Sequence, residues 1–284
     1  VQAADLATAT PAGPWRRLHA HLLRTAIGAL IDAPASPALP EATLLARCGP
    51  ELRAVIEGRR DPLELLFPGG DQSDATALYR DSPFTRAANA IAAEALAELL
   101  AERGPARIIE VGAGTGGTTQ ALLGRLRPGD QYLFTDISPA FVSAGKRHFG
   151  LDGAALDLER PLAEQGIEPH TFDLVVAANV LHATSDLAAT LARVRELLRP
   201  DGALLLVENG APMLWGDLTF GLTDGMWRFT DRALRPDYAL LPEDAWHRLL
   251  AEAGFATQSF RAGTTSTAAA SGLVVFLAQR AGMR

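Results

Sequence analysis

Cysteine is nearly absent from this chain of 284 residues, with Cys48 standing alone. A single thiol excludes a disulfide framework and a thiolate metal cluster, and it suits a reducing interior such as the cytoplasm. In its helical, apolar setting Cys48 reads as a packed side chain rather than a nucleophile. Lysine is equally scarce: Lys146 is the only one among 26 basic residues, a bias that a high-GC genome explains. With 33 acidic residues the net charge is −7, which argues against a general nucleic-acid binder. Long apolar runs are missing too, so no segment reads as a membrane span or a signal peptide. The spacing of the histidines offers no metal cage, and His19, His21, His148, His170 and His247 read as surface residues. The chain opens at Val1 in an Ala/Thr/Pro-rich stretch, as expected of a domain cut from a longer polypeptide.

Hydrophobic residues make up 48% and charged residues 21%, the balance of a globular enzyme. Residues 1–13 read as linker, and residues 14–104 as a helical lid. Within the lid, helical spacing predicts helices over Trp15–Ile31, Glu41–Ala46, Pro50–Glu57 and Pro83–Arg103, with a turn at Phe67–Gly70. From residue 105 the pattern alternates. Strands are expected over Arg107–Val111, Gln131–Thr135, Ala154–Leu156, Phe172–Ala177 and Ala203–Val207, and helices over Gly117–Leu126, Pro139–His148, Asp186–Leu198 and Glu243–Ala253. Such alternation builds a doubly wound parallel sheet whose ligands sit at the carboxyl ends of the strands. Two last strands, Ala256–Arg261 and Leu273–Ala278, have no helix between them and should pair antiparallel at one edge.

The first strand runs into a glycine-rich turn, RIIEVGAGTGGTT (Arg107–Thr119). Glycine allows the tight turn and lets a ligand approach the backbone, and the following helix offers free N–H groups. Gly112, Gly114 and Gly117 satisfy G-x-G-x-x-G, and Asp136 follows nineteen positions later, as a ribose-binding acid should. That pattern alone also admits NAD. Glu110, directly before the glycines, would oppose a pyrophosphate but suits a cofactor carrying positive charge. Asp136 and Asp157 close the next two strands. An acid at each of three strand ends describes a site for S-adenosylmethionine, with its ammonium, sulfonium, ribose and adenine.

The segments EVGAGTGGTT, FTDIS, FDLVVAANVLHAT, LLRPDGALLLVE and FGLTDGMWRFTD resemble the class I methyltransferase domains embedded in modular polyketide synthases. The resemblance covers Thr43 to Phe255. It implies a Rossmann-like, doubly wound α/β fold with seven strands, the last antiparallel. It also implies that Glu110, Gly112 and Gly114 line the methionine end of the cofactor and that Asp136 takes the ribose hydroxyls. Ile137 would pack on adenine, Asp157 and Leu158 would flank it, and Asn179 would approach the methionine or sulfonium. The chain departs from the family pattern in the short connection between Phe149 and Asp157, which leaves Asp157 the weakest of these assignments.

Methyl transfer from a sulfonium is an in-line displacement, and an alcohol or activated carbon needs a base before it attacks. His182 lies just past the fourth strand and Glu208 ends the fifth. Neighbouring strands should bring them to one edge, where His182 is expected as general base with Glu208 fixing its tautomer; the family's histidine–glutamate pair falls on the same positions. Trp215, Phe220 and Trp227 follow Glu208 and are expected as acceptor-pocket walls. Tyr79, Ser82, Phe84 and Asn89 lie where lid and core meet, Tyr79 and Phe84 being further pocket candidates. The resemblance implies an acceptor tethered by phosphopantetheine to an acyl carrier protein, alongside other domains of one megasynthase. Strand four ends in AANVLH rather than a base-holding signature, which disfavours nucleic-acid methylation. Carbon-methylating members of the family it resembles usually carry a longer lid than the roughly one hundred residues before the first strand here, so the resemblance leans toward β-hydroxyl oxygen, with the α-carbon as the alternative. An inactive spacer domain and an NAD-linked oxidoreductase are the rival readings. Arg59, Arg60, Arg232 and Arg235 are expected as solvated surface.

Overall fold

The computed structural model describes residues 39–101, 103–261 and 272–280, together with residue 10. The expected helix Trp15–Ile31, with His19 and His21, lies outside the described residues, as does most of the linker before it. Helix α1 spans Pro40–Ile56, α2 Pro62–Leu66, α3 Ser73–Asp81 and α4 Pro83–Ala101. The sequence predicts a break near Pro50, yet α1 runs through it. Proline removes one intrahelical bond. Here Leu44, Cys48, Leu52, Val55 and Ile56, all fully buried, hold the helix on one apolar face, and packing overrides the local preference. Asp61 caps α2 by accepting from the Leu63 N–H at 2.9 Å.

The core then alternates as β1 (Arg107–Val111), α5 (Gly117–Leu123), β2 (Gln131–Asp136), α6 (Pro139–Phe149), β3 (Asp152–Ala155), β4 (Phe172–Ala178), α7 (Leu187–Leu197) and β5 (Leu198–Asn209). A four-residue helix α8 (Leu214–Asp217), helix α9 (Glu243–Glu252), β6 (Phe255–Phe260) and β7 (Leu273–Arg280) complete it. The seven strands form one sheet in the order β3-β2-β1-β4-β5-β7-β6. The first five are parallel, and β7 runs antiparallel to both β5 and β6, so the expected antiparallel edge pair is present. The strand order reverses beside β1, and the crevice at that switch point is where such sheets bind ligands.

Alternation along the strands divides the apolar side chains between two faces. Ile109, Val175, Leu204, Leu206 and Phe276 face α7 and α9, meeting Leu191, Val194 and Trp246. Ile108, Leu174, Val176, Leu205 and Val275 face α4, meeting Ala92, Leu96 and Leu99. Helix α4, expected as part of the lid, thus lies on the sheet. A third core joins Leu44, Leu52, Leu66 and Leu78 of α1–α3 to Leu218, Leu222, Trp227 and Phe229, so the segment after β5 is packed into the lid. Among the described residues no helix is long and apolar enough to cross a membrane.

Candidate active site

The turn after β1 is built on left-handed backbone at Gly112 (φ 61°), Gly114 (φ 55°) and Gly116 (φ 78°). A Cβ on Gly112 would stand 2.2 Å from Val180 Cγ2, and one on Gly117 would stand 2.6 Å from the carbonyl oxygen of Tyr79. The turn is therefore closed against β4's loop on one side and the lid on the other. Over Gly114 there is open space, with nothing nearer to such a Cβ than the Gly112 carbonyl oxygen at 4.0 Å. Asp136 clamps the turn: Oδ2 accepts from the Gly114 N–H at 2.9 Å and Oδ1 from the Ser138 N–H at 2.8 Å. Asn89 of α4 ties the lid on, donating to Tyr79 O at 3.2 Å while accepting from Thr118 Oγ1 at 3.0 Å.

Glu110 is 1% exposed at the end of β1. Tyr132 OH donates to its Oε2 at 2.7 Å, and Thr119 Oγ1 donates to the same oxygen. Burial nonetheless pushes this carboxyl up to about 7, the two hydrogen bonds opposing and the nearby Asp136 adding to the rise. Burial raises Asp136 as well. Glu110, Gly112, Gly114, Phe67 and Phe141 border a cavity of 200 Å³, with Asn179, Tyr79 and Phe220 at its far side. A second cavity of 210 Å³ begins at those same three residues and extends past Phe84, His182 and Trp215. Asn179 holds a left-handed conformation (φ 52°), donating its N–H to Val207 O at 2.7 Å and accepting from Asn209 Nδ2 at 3.0 Å. Asparagine tolerates that geometry better than other side-chain-bearing residues. Tyr79 OH is buried and faces the Glu208 charge, which together push it up to about 12 and keep it a donor.

In the wall of the second cavity, His182 Nδ1 lies 2.6 Å from Glu208 Oε2. The His182 N–H also donates to Glu208 Oε1 at 3.3 Å. Glu208 is fully buried and accepts at both oxygens, so in the neutral ring the proton sits on Nδ1 and the lone pair on Nε2. The turn bearing His182 is held from behind by Arg235, whose side chain is fully buried. Arg235 donates to His182 O at 2.7 Å, Thr184 O at 2.9 Å and Ser185 O at 3.3 Å, and its Nε pairs with Asp231 at 2.7 Å. The expectation of a solvated arginine at this position is corrected: the fold has turned it inward to donate to carbonyls of the loop after β4.

Other expectations also need correction. β3 ends at Ala155, so Asp157 does not close it; Leu156 continues the pairing through a bond to Asp136 O, and Asp157 lies beyond. The Asp157 carboxylate accepts from the Glu159 N–H at 2.9 Å in a local turn, and Asp157 borders neither cavity. Leu158 is 8% exposed and packs in the core beside Leu156 and Leu162. Trp227 is likewise core: its indole donates to Gly221 O at 2.7 Å and its ring meets Tyr238 edge-on. Trp215, Phe220, Tyr79 and Phe84 line the second cavity, and Ile137 stands 64% exposed beside Asp136. Sequence reasoning missed Glu41, Asn209, Met213 and Tyr238 in the wall of the second cavity, and Phe67 and Phe141 at the first. Among the described residues no group of acids, histidines and cysteine is placed to hold a metal ion.

The residues present fit S-adenosylmethionine. A buried acid raised to about 7 is stabilised by an adjacent cation, the space over Gly114 has room for a ligand, and an exposed isoleucine beside Asp136 offers an apolar platform. This fold and donor set define a class I S-adenosylmethionine-dependent methyltransferase. The family model described as a methyltransferase domain matches residues 109–204. Polyketide synthase ThaQ of Burkholderia thailandensis is 40% identical over 75% of this chain, and the non-reducing polyketide synthase dpmpA of Macrophomina phaseolina is 40% identical over 84%. The chain spans only 11% of the length of each. Among solved structures, the CurJ carbon methyltransferase superposes with a TM-score of 0.82 at 38% identity, covering 95% of this chain and 72% of that one. The DszA carbon methyltransferase gives 0.84 at 30% identity, covering 100% and 83%. The trans-methyltransferase CalH, solved with S-adenosylhomocysteine, gives 0.75 at 26% identity, covering 98% and 87%. The chain belongs to the methyltransferase domains of polyketide synthases, and its cofactor is S-adenosylmethionine.

Proposed function

We propose that this domain methylates the α-carbon of a β-ketoacyl thioester carried on the phosphopantetheine arm of an acyl carrier protein, within a polyketide synthase. The reading rests on one observation above the rest: His182, paired with the buried Glu208, lines a cavity that shares Asn179 with the cofactor cavity. The sequence leaned toward the β-hydroxyl oxygen on the length of the lid. Carbon takes its place as the first reading because CurJ and DszA, which match nearly the whole chain, are both carbon methyltransferases.

Glu110 is the acid suited to the cofactor's ammonium, with Gly112 and Gly114 giving it close approach to backbone. Asp136 retains a lone pair on each oxygen for ribose hydroxyls, and Ile137 faces the adenine side. S-adenosylmethionine supplies a methyl group on positively charged sulfur. His182 Nε2 accepts the α-proton, which two flanking carbonyls acidify, and the carbon is left as an enolate. Glu208 holds the imidazole by Nδ1–H and offsets the charge that His182 gains. Asn179, bordering both cavities, orients the donor against the acceptor. The acceptor side is walled by Tyr79, Phe84, Trp215 and Phe220.

Incubation with S-adenosylmethionine and either β-ketoacyl or β-hydroxyacyl carrier protein, read by mass spectrometry, tests this reading. The β-keto species should gain one methyl, located at the α-carbon. A gain confined to the β-hydroxy species would restore the oxygen reading. Calorimetry showing no binding of the cofactor would point instead to an inactive spacer.

A further inference from the structure

Glu41 stands in the first turn of α1, 5% exposed, and borders the acceptor cavity. Its Oε1 accepts from Ser82 Oγ, which also accepts from the Phe84 N–H at 3.3 Å where α4 begins. Its other oxygen, Oε2, is buried with no hydrogen-bond partner among the described residues. A carboxylate oxygen deprived of both water and donor is costly, and native folds leave such a group only where something else completes it. Most of the neighbouring cavity wall is apolar, with Leu78, Met213, Phe220 and Leu240. A second acceptor in the same wall, Asn209 Oδ1, is also buried and unpartnered among the described residues, its Nδ2 being committed to Asn179. Two acceptors without donors among the described residues, in a cavity otherwise lined largely by carbon, call for a ligand that carries a donor.

We propose that Glu41 is a substrate-binding residue: Oε2 accepts a hydrogen bond from an N–H or O–H group of the acceptor. The inference builds on the acceptor site described above and assigns its ligand a donor. Two parts of a tethered acyl chain carry such a group, namely the amides of the pantetheine arm and a hydroxyl along the acyl chain. Glu41 belongs to the lid, whereas His182 belongs to the sheet edge, so this bond would also draw the lid onto a bound acceptor. It would do so without touching the reacting carbon.

Three thioesters of one β-ketoacyl group separate the sources: the pantetheine thioester, a simple alkyl thioester without amides, and the alkyl thioester bearing a hydroxyl on its acyl chain. Each is titrated into the protein loaded with S-adenosylhomocysteine, which reads binding whether or not the acceptor is methylated. Glu41→Gln keeps the shape and the Ser82 bond but puts an NH₂ where Oε2 was, and Ser82→Ala controls for the structural bond. Glu41→Gln should weaken the donor-bearing thioester by about tenfold or more, as expected for losing a bond to a charged acceptor, and leave the alkyl thioester within about twofold. Loss with pantetheine alone assigns the amides; loss with the hydroxylated chain alone assigns the hydroxyl. Equal weakening of all three, or of none, overturns the proposal. Wild-type turnover of the same thioesters is measured separately, so a failure of the carbon-methylation reading shows there and not in the ratios.

Discussion

Glu110 should make cofactor affinity depend on pH, with a sign set by its burial. In the free protein its carboxyl titrates at about 7 rather than at its ordinary 4.5. A cationic ligand favours the ionised form, so binding expels the proton and becomes harder as pH falls. The dissociation constant rises by the factor 1 + 10^(pKa − pH), about twofold at pH 7 and about 11-fold at pH 6 relative to the alkaline plateau. About 0.9 proton is released per ligand at pH 6. Titration calorimetry with S-adenosylhomocysteine, in two buffers of different ionisation heat, reads both quantities. Glu110→Gln serves as reference, because the ligand's own titration is common to both proteins. The variant should bind more weakly at high pH and lack the extra slope below pH 7. Stability of the ligand-free fold runs in the opposite direction, because ionisation is harder in the folded state than in the unfolded chain. The ligand-free fold is therefore at full strength below 4.5 and loses on the order of 3 kcal/mol as pH rises to about 7. Identical pH dependence of binding in wild type and Glu110→Gln would refute the reasoning.

Four further outcomes follow from the same geometry. Tyr132→Phe removes a hydrogen bond that holds the Glu110 carboxylate ionised, so the midpoint of the binding profile should move to higher pH; a fall would contradict the bonding seen. Glu208→Gln should lower kcat by about a hundredfold or more, with KM and S-adenosylhomocysteine affinity nearly unchanged, because only the charge developing on His182 loses its partner. Arg235→Met strands the His182 and Thr184 carbonyls and takes the cation from Asp231, which costs about 3–5 kcal/mol and on the order of ten degrees in Tm by circular dichroism; a shift under about 2 °C would mean the clamp is not needed. Gly117→Ala drives a Cβ against Tyr79 O and should weaken S-adenosylhomocysteine binding by about tenfold, whereas Gly124→Ala, with nothing within 4 Å, should bind normally.

The alternating core was legible because its signals are local. A parallel strand buried on both faces needs an apolar run, and β1 falls where Ile108, Ile109 and Val111 place it. The glycine turn announced itself because left-handed backbone excludes most other residues. β3 begins two residues and ends one residue before the expected span, since DGAA carries little apolar signal, and the earlier end leaves Asp157 past the strand. Trp227 and Trp215 look alike in sequence, yet one is core and the other cavity wall. Nothing local distinguishes them.

Sequence by itself determined the order of elements, the acid before the glycines and the identity of the His182–Glu208 pair. Each depends on periodicity or on chemistry that only one residue type supplies. Tertiary structure decided which side chains meet. It brought Glu41, 141 positions before His182, into the same cavity wall. It turned Arg235 inward under the His182 turn and left Asp157 past the end of β3. An acid in a first helical turn and an arginine in a loop read as surface, because burial is a property of what the rest of the chain packs over them.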